Sequence, residues 1–149
     1  MQALAVVEKK FYLDSNVFIS FIREEIDSSF NLRFQESKEF FKLCMEEKHE
    51  IILSELFFAE VLKITALKKE LVLEEFKNLG IKIIEAVKIP SQSQIFKIMK
   101  QTGIHASDAM HIAFALENNA DLIVTWNRKD FEKAKKLVKC ITPNEASLN

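Results

Sequence analysis

DLIVTW, residues 121–126, is the stretch from which the fold can be read. Its apolar centre, Leu122, Ile123 and Val124, is too short for a helix and rich in β-branched side chains. That pattern belongs to a strand buried on both faces. Working outward, residues 9–14 (KKFYLD) read as another short strand, aromatic and ending in a turn-forming acid. Residues 50–53 (EIIL) and 81–87 (IKIIEAV) read as two more, and residues 137–141 as a last one.

Helical patterns fill the intervals. After Asp14, the residues Val17, Phe18, Phe21 and Ile22 recur at helical spacing. Residues 33–49 form a second amphipathic helix with Phe34, Phe40, Phe41, Cys44 and Met45 on one side. Ser54 is placed to cap a helix running to about Lys69. Residues 71–78 continue as a helix that Gly80 stops. Pro90 is expected to open a helix through Lys100, ended by Gly103. Residues 105–118 give another helix, and residues 131–136 a short basic one. Strands alternating with helices imply parallel pairing, right-handed crossovers and helices on both sheet faces. Such sheets place ligands beyond the carboxyl ends of their strands.

The composition agrees. The chain has 149 residues, 48% hydrophobic and 29% charged, which fits one globular domain spanning residues 1–149. Two glycines and two prolines leave no material for Gly-rich linkers or collagen-like segments, nor for a Walker A, GxGxxG or GxSxG loop. Thirteen Phe against one Tyr and one Trp predict a core of phenyl rings, which need no polar partner. A net charge of -1 argues against nucleic-acid binding by bulk positive charge, but not against meeting phosphate through a bound cation. Cys44 and Cys140 are too few for a disulfide scaffold and fit a reducing cytoplasm, although one bridge between them stays open. The longest stretches free of Asp, Glu, Lys and Arg are eight residues, against the roughly 20 that a membrane helix needs. MQALAVVEKK has no basic region before its short apolar run, so no signal peptide is expected.

Several acids stand where structure alone does not require them. Asp14 ends a strand and precedes a helix; an N-cap is its plain explanation, with Ser15 and Asn16 adjacent to hold a carboxylate or a water. On the helix after Ser54, Glu60 falls among Leu56, Phe57, Ile64 and Leu67. A carboxylate on an apolar stripe must be paired, metal-bound or neutralised. Asp108, within HASDAMHIAFAL, shares its side of the helix with Ile112 and Ala115, although a place in the first turn also suits an acid. Ala109 and Ala113 are small enough for this helix to approach the sheet closely. After the strand 121–126 come Asn127 and Asp130, with the Thr125 hydroxyl beside them; a turn and a cap would explain these as well. Acids gathered at strand ends would repel one another unless a divalent ion resolved the conflict, and oxygen donors select hard cations such as Mg²⁺ or Mn²⁺. His105 and His111 flank Asp108 at three-residue spacing and have at most a supporting place, since no zinc-binding spacing is present. His49 ends a helix.

These segments together resemble the PIN domain, the metal-dependent ribonuclease fold of VapC-type toxins. The likeness rests on LDSN at residues 13–16, SELFFAEV at 54–61, HASDAMHIAFA at 105–115 and ADLIVTWNRKDF at 120–131. It implies a three-layer α/β/α sandwich with a mainly parallel central sheet. Carried over by motif, Asp14, Glu60 and Asp108 would be the first three acids of a Mg²⁺ or Mn²⁺ site. The family often has Asp two residues after the strand-ending Thr; Asn127 stands there, so Asp130 is taken as the fourth acid with Asn127 as a neutral neighbour. This departure puts a second ion in doubt.

The activity this implies is hydrolysis of RNA phosphodiester bonds, giving 5′-phosphate and 3′-hydroxyl ends. Asp14 and Asp108 would be the main ligands, Glu60 would ligate or orient the attacking water, and Thr125, Ser15 and Asn16 would support them. Arg128, Lys129, Lys133, Lys135 and Lys136 could guide the RNA backbone, or simply form a solvated face. A toxin would have an antitoxin partner, and a homodimer is expected; the Phe-rich helix around Phe34 to Met45 offers a surface unless its rings are core. One alternative is a catalytically weak scaffold binding RNA or protein, which Asn127 keeps open. Another is a phosphatase using Asp14 as nucleophile, disfavoured because no second acid follows closely. No membrane association is expected.

Overall fold

The alternation of apolar side chains along the short strands builds two cores, one on each face of a single sheet. In a computed structural model, residues 7–148 are described except 28 and 30, and Leu148 by its backbone only. The reading of the N-terminal segment as no signal peptide falls largely on residues 1–6, outside the described residues. The strands are β1 (Lys10–Leu13), β2 (Glu50–Leu53), β3 (Lys82–Glu85), β4 (Leu122–Val124) and β5 (Lys139–Ile141). They form one sheet in the order β3-β2-β1-β4-β5, and every pairing is parallel. The expected mainly parallel sheet is therefore wholly parallel among the described residues.

Period-two alternation sorts the strand residues. Phe11, Leu13, Ile51, Leu53, Leu122 and Val124 face one core, and Tyr12, Ile52, Ile123 and Cys140 face the other. The first core is closed by α1 (Ser15–Arg23), α2 (Arg33–Glu47), α3 (Glu55–Thr65) and α4 (Lys69–Asn78). Several of its rings meet edge to face: Phe41 lies 5.4 Å from Phe76 at 89°, and Phe18 lies 5.9 Å from Phe57. The second core is closed by α5 (Gln92–Thr102), α6 (Ala106–Glu117), and Phe131 and Ala134 of a short segment after β4. The result is the three-layer α/β/α arrangement. Cys44 and Cys140 are free, buried thiols on opposite sides of the sheet, which settles the open question of a bridge between them.

Boundaries differ from the sequence reading where caps decide them. The helix after Ser54 ends at Thr65, not near Lys69. Ala66 turns left-handed (φ 64°), and the Thr65 hydroxyl donates to the Val61 carbonyl and accepts from Leu67 N–H. Pro90 does not open a helix: Ser91 is the N-cap of α5, its hydroxyl accepting from Gln94 N–H at 3.1 Å. Gly103 caps that helix with φ +73°, as expected. Residues 131–136 are not one helix; α7 (Arg128–Phe131) comes first and a 3-10 turn over Glu132–Ala134 follows. The chain closes with a second 3-10 segment, Pro143–Leu148. Along the Phe-rich α2, Phe40, Phe41 and Cys44 are buried, so that face belongs to the core and only Met45 remains largely outside. Among the described residues, no helix is long and apolar enough to cross a membrane.

The strand order fixes where a ligand can sit. Connections run from β1 toward β2 and β3 on one side, then cross to β4 and β5 on the other. The crevice between the carboxyl ends of β1 and β4 is thus the point at which the winding reverses. Leu13 pairs with Val124 there, so the residues that follow, Asp14 and Thr125, emerge side by side.

Candidate metal centre

Asp14 leaves β1 as the N-cap residue of α1, with its backbone N–H bonded to the Val124 carbonyl. Its side chain makes no capping bond. It is 6% exposed, and Oδ2 accepts the Thr125 hydroxyl at 2.8 Å. Thr125, wholly buried, also accepts Asn127 N–H at 2.9 Å and the Asn16 amide at 3.3 Å. Asn16 in turn accepts Trp126 N–H through Oδ1. Asp14, Asn16 and the backbone just after β4 are therefore tied through one hydroxyl, which fixes the Asp14 carboxylate.

Glu60 reaches the same place from α3. The inner stripe of that helix is Phe57 and Val61, with Leu56 partly buried, whereas Ile64 is exposed. Glu60 thus stands at the border of the stripe, half-buried, rather than in its middle as the helical wheel suggests. Its Oε1 accepts two hydrogen bonds, from the Ser15 hydroxyl at 2.9 Å and from His111 Nε2 at 2.8 Å. Burial pushes the Glu60 carboxyl up, but the bond and charge of His111 and the Ser15 bond outweigh it and hold the group below its ordinary value.

His111 lies on α6, 2% exposed, one turn after Asp108. Its Nε2 is 3.6 Å from Asp14 Oδ1, and its Nδ1 is 2.6 Å from the Tyr12 hydroxyl. Burial lowers its pKa, while Glu60, Asp14 and Asp108 together carry it above the ordinary histidine value. One ligand atom each of Asp14, Glu60 and His111 lie within 4.8 Å of one another.

Asp108 sits in the first turn of α6, half-buried, where Ala109 and Ala113, both wholly buried, let the helix pack closely. No hydrogen bond or ion pair holds its carboxylate among the described residues. Its pKa is raised, by burial first and then by Asp14, with smaller contributions from Asp130 and Glu60; His111 opposes them. Asp108 therefore shares the field of the other acids without belonging to the tightest group. Asp130, in α7, is exposed and stands near enough to be felt by Asp108. Asn127, not Asp130, occupies the N-cap of α7, with no side-chain capping bond.

The donor set fits a hard divalent ion. Asp14 and Glu60 each have one oxygen bound by hydrogen-bond donors of the protein and one that accepts no hydrogen bond, and Asp108 has two such oxygens. Both His111 nitrogens have partners, Tyr12 and Glu60, so the donors left without one in this group are oxygens. Other residues lie apart from this centre. His105 caps α6 at its exposed start, without a side-chain bond. His49 binds Lys9 N–H and Glu47 at the opposite end of β1. Of the basic residues, Arg128 is held by Glu145 at 2.7 Å and by Glu132 at 3.9 Å, and Lys135 reaches Glu132 at 4.0 Å. Two participants were not legible as such in the sequence: Tyr12 and, beyond a supporting place, His111. The one available signal was the single Tyr of a chain with thirteen Phe.

A wholly parallel α/β sheet with one carboxylate just past the end of β1 and another from α3 beside its switch point, and a third on α6 in their field, defines a class of acid-centred α/β proteins. The chain belongs to the PIN domain family, whose model matches residues 11–137, and which is a family of nucleases. No curated protein matches the sequence. Among solved structures, VapBC2 from Rickettsia felis, bound to a DNA fragment from its promoter, is similar with a TM-score of 0.57 at 16% identity, covering 89% of this chain and 98% of that one. A toxin-antitoxin complex from Klebsiella pneumoniae matches with a TM-score of 0.57 at 18% identity, over 89% and 96% of the two chains. PAE2754 from Pyrobaculum aerophilum gives 0.51 at 13% identity, over 94% and 87%. At these identities the likeness is one of fold.

Proposed function

We propose that the chain is a divalent-metal-dependent ribonuclease, with Asp14, Glu60, Asp108 and Asp130 as its acidic residues and Mg²⁺ or Mn²⁺ as its ion. The observation that supports this is the gathering of Asp14 and Glu60, with His111, beside the switch point, with Asp108 unpaired and in their field. Asp14, through Oδ1, and Asp108 would hold the ion; Glu60, through Oε2, would ligate it or orient the attacking water. The ion would supply positive charge against the scissile phosphate and acidify a water for in-line attack, with the 3′-oxygen leaving. Thr125 and Ser15 keep the carboxylates aimed, and Asn16 braces Thr125 and the Trp126 backbone. Lys129 and Lys133, exposed beside α7, would draw in the RNA backbone once the acids are neutralised.

The test is cleavage of a panel of unstructured and hairpin RNAs with Mg²⁺, with Mn²⁺ and with chelator. Cleavage that requires the ion and disappears in folded Asp14→Asn is expected. Full activity in Asp14→Asn, or cleavage unaffected by chelator, overturns the reading. One observation favours a second reading, a catalytically weak scaffold: Asn127 is neutral, so the site carries less charge to hold an ion. Calorimetry decides between them, since wild-type protein that takes up no Mn²⁺ is the scaffold.

The same reading includes a cytoplasmic toxin with an antitoxin partner, as in the Rickettsia felis and Klebsiella pneumoniae assemblies, and a homodimer. Leu56, Ile89, Ile95, Met110 and Phe114 line an apolar groove between α3, α5 and α6; Ile89 is 64% exposed, and Phe96, next to Ile95 on α5, is 66% exposed. Exposed apolar side chains of this kind are what a partner would cover. Sedimentation of the purified chain, alone and with its genomic neighbour's product, tests both associations.

A further inference from the structure

Tyr12 is the one tyrosine of a chain with thirteen phenylalanines. It is wholly buried in the middle of β1. Its hydroxyl lies 2.6 Å from Ser54 Oγ and 2.6 Å from His111 Nδ1, and the other nitrogen of His111 lies 2.8 Å from Glu60 Oε1. A phenyl ring would fill the same space, so what position 12 adds is the hydroxyl. These contacts join β1, the cap of α3, α6 and the body of α3 in one buried chain of polar groups.

The hydrogens can be assigned along it. Ser54 Oγ already accepts Phe57 N–H at 3.1 Å, so it has one hydrogen to give or one lone pair left. Glu60 Oε1 accepts the Ser15 hydroxyl at 2.9 Å, and a carboxylate oxygen can only accept. An atom 2.8 Å from its oxygen must bring a hydrogen, and that atom is Nε2. With neutral imidazole, Nδ1 then accepts from Tyr12 O–H, and Tyr12 accepts from Ser54 O–H. With imidazolium, Nδ1–H donates to Tyr12, and Tyr12 donates to Ser54. Nε2 carries a hydrogen in both arrangements, and a nitrogen that carries a hydrogen binds no cation.

Resting on the proposed metal site, the geometry points to His111 as a positioning residue and not a ligand. Tyr12 and Ser54 hold its ring so that Nε2–H pins Glu60 Oε1, which leaves Oε2 to face the ion. The three-residue cluster of Asp14, Glu60 and His111 is thereby an oxygen site with an imidazole behind it. Partners of this kind change metal affinity by about 10–100-fold when removed.

The experiment is ¹⁵N NMR of protein labelled at histidine, metal-free and loaded with Mg²⁺, together with Tyr12→Phe. In wild type, Nε2 of His111 is expected to carry hydrogen in both states. In Tyr12→Phe, Nδ1 loses its partner, the ring is no longer held in place, and Mn²⁺ affinity measured by calorimetry falls at least about 10-fold. A wild-type Nε2 that loses its hydrogen when Mg²⁺ is added would make His111 a ligand and overturn the proposal. So would a Tyr12→Phe protein whose Mn²⁺ affinity is that of wild type. If wild type takes up no ion, the nuclease reading fails by itself, while the tautomer in metal-free protein still tests the hydrogen-bond chain.

Discussion

Replacing Thr125 by valine should damage stability and ion binding together, because one hydroxyl serves both. Thr125 is wholly buried, and Val keeps nearly its shape, so packing changes little. What disappears is a 2.8 Å bond to the Asp14 carboxylate, a 2.9 Å bond from Asn127 N–H and a 3.3 Å bond from Asn16. A hydrogen bond to a charged group is worth about 1.5–3 kcal/mol, and leaving buried partners unsatisfied adds to it, so we expect a loss of about 3 kcal/mol. For a chain of this size that is a fall in Tm of about 6–12 °C. Asp14 Oδ2, released, no longer fixes the direction of Oδ1, and Mn²⁺ affinity should drop by about 10–100-fold. Urea unfolding with chelator present and calorimetric titration with Mn²⁺ measure the two effects separately. Thr125→Ser keeps the hydroxyl and loses one buried methyl, about 1 kcal/mol, so it should unfold slightly more easily and bind Mn²⁺ as wild type does. A Thr125→Val protein within about 0.5 kcal/mol of wild type and with unchanged affinity would refute the role given to this hydroxyl.

Three further outcomes follow from the charges and thiols. Asp108 has its folded pKa raised, by burial and then by Asp14, so its contribution to stability is fully present below the unfolded value and is lost as pH rises through the folded one. Asp108→Asn should therefore be more stable than wild type in chelator at pH 7 yet bind Mn²⁺ more weakly; lower stability at neutral pH would contradict this. Glu145 is the reverse case: burial pushes it up, but bonds from the Thr142 backbone and hydroxyl and the charge of Arg128 hold it below its ordinary value. Its contribution is present above the unfolded carboxylate value and lost as pH falls through the folded one, so Glu145→Gln should flatten the acid limb of a stability profile measured from pH 7 to pH 3. Burial raises both thiols, Cys140 to about 12, so a thiol reagent at pH 8 should label neither in native protein and both after unfolding.

The fold was legible because its signals are local. Leu122, Ile123 and Val124 declare a buried strand within three residues, and Ser54 and Gly103 mark helix ends by their own chemistry. Where the outcome depended on competing caps, the reading slipped: Thr65 turns the chain by bonding its own helix, and Ser91 outranks Pro90 as the start of α5. Asp14 and Asp108 could be placed because each sits where an element begins, in a position fixed by sequence. Glu60 could be suspected from its place on α3, but not its distance from the apolar stripe, since the helix turns Ile64 outward. The contacts of His111 were beyond reach altogether. Glu60 is 51 residues away in sequence and Tyr12 is 99, and no periodicity encodes either pairing.

The arrangement also explains how the fold tolerates acids that repel one another. Asp14 is answered by Thr125, and Glu60 by Ser15 and His111, so each of these carboxylates has a buried donor. The remaining conflict falls on Asp108, which has no donor and whose proton affinity rises in consequence. Two acids are thus held rigid and the third is left to adapt. That division suits an ion site, because rigid ligands set the position at which a cation must arrive and a free one can close on it. It also places the gain from neutralisation on α6, the helix whose alanines press it against the sheet. An ion that relieves Asp108 would tighten the contact between α6 and β4. Ion binding should then slow hydrogen exchange along α6 more than along α2, which contributes no acid to the cluster.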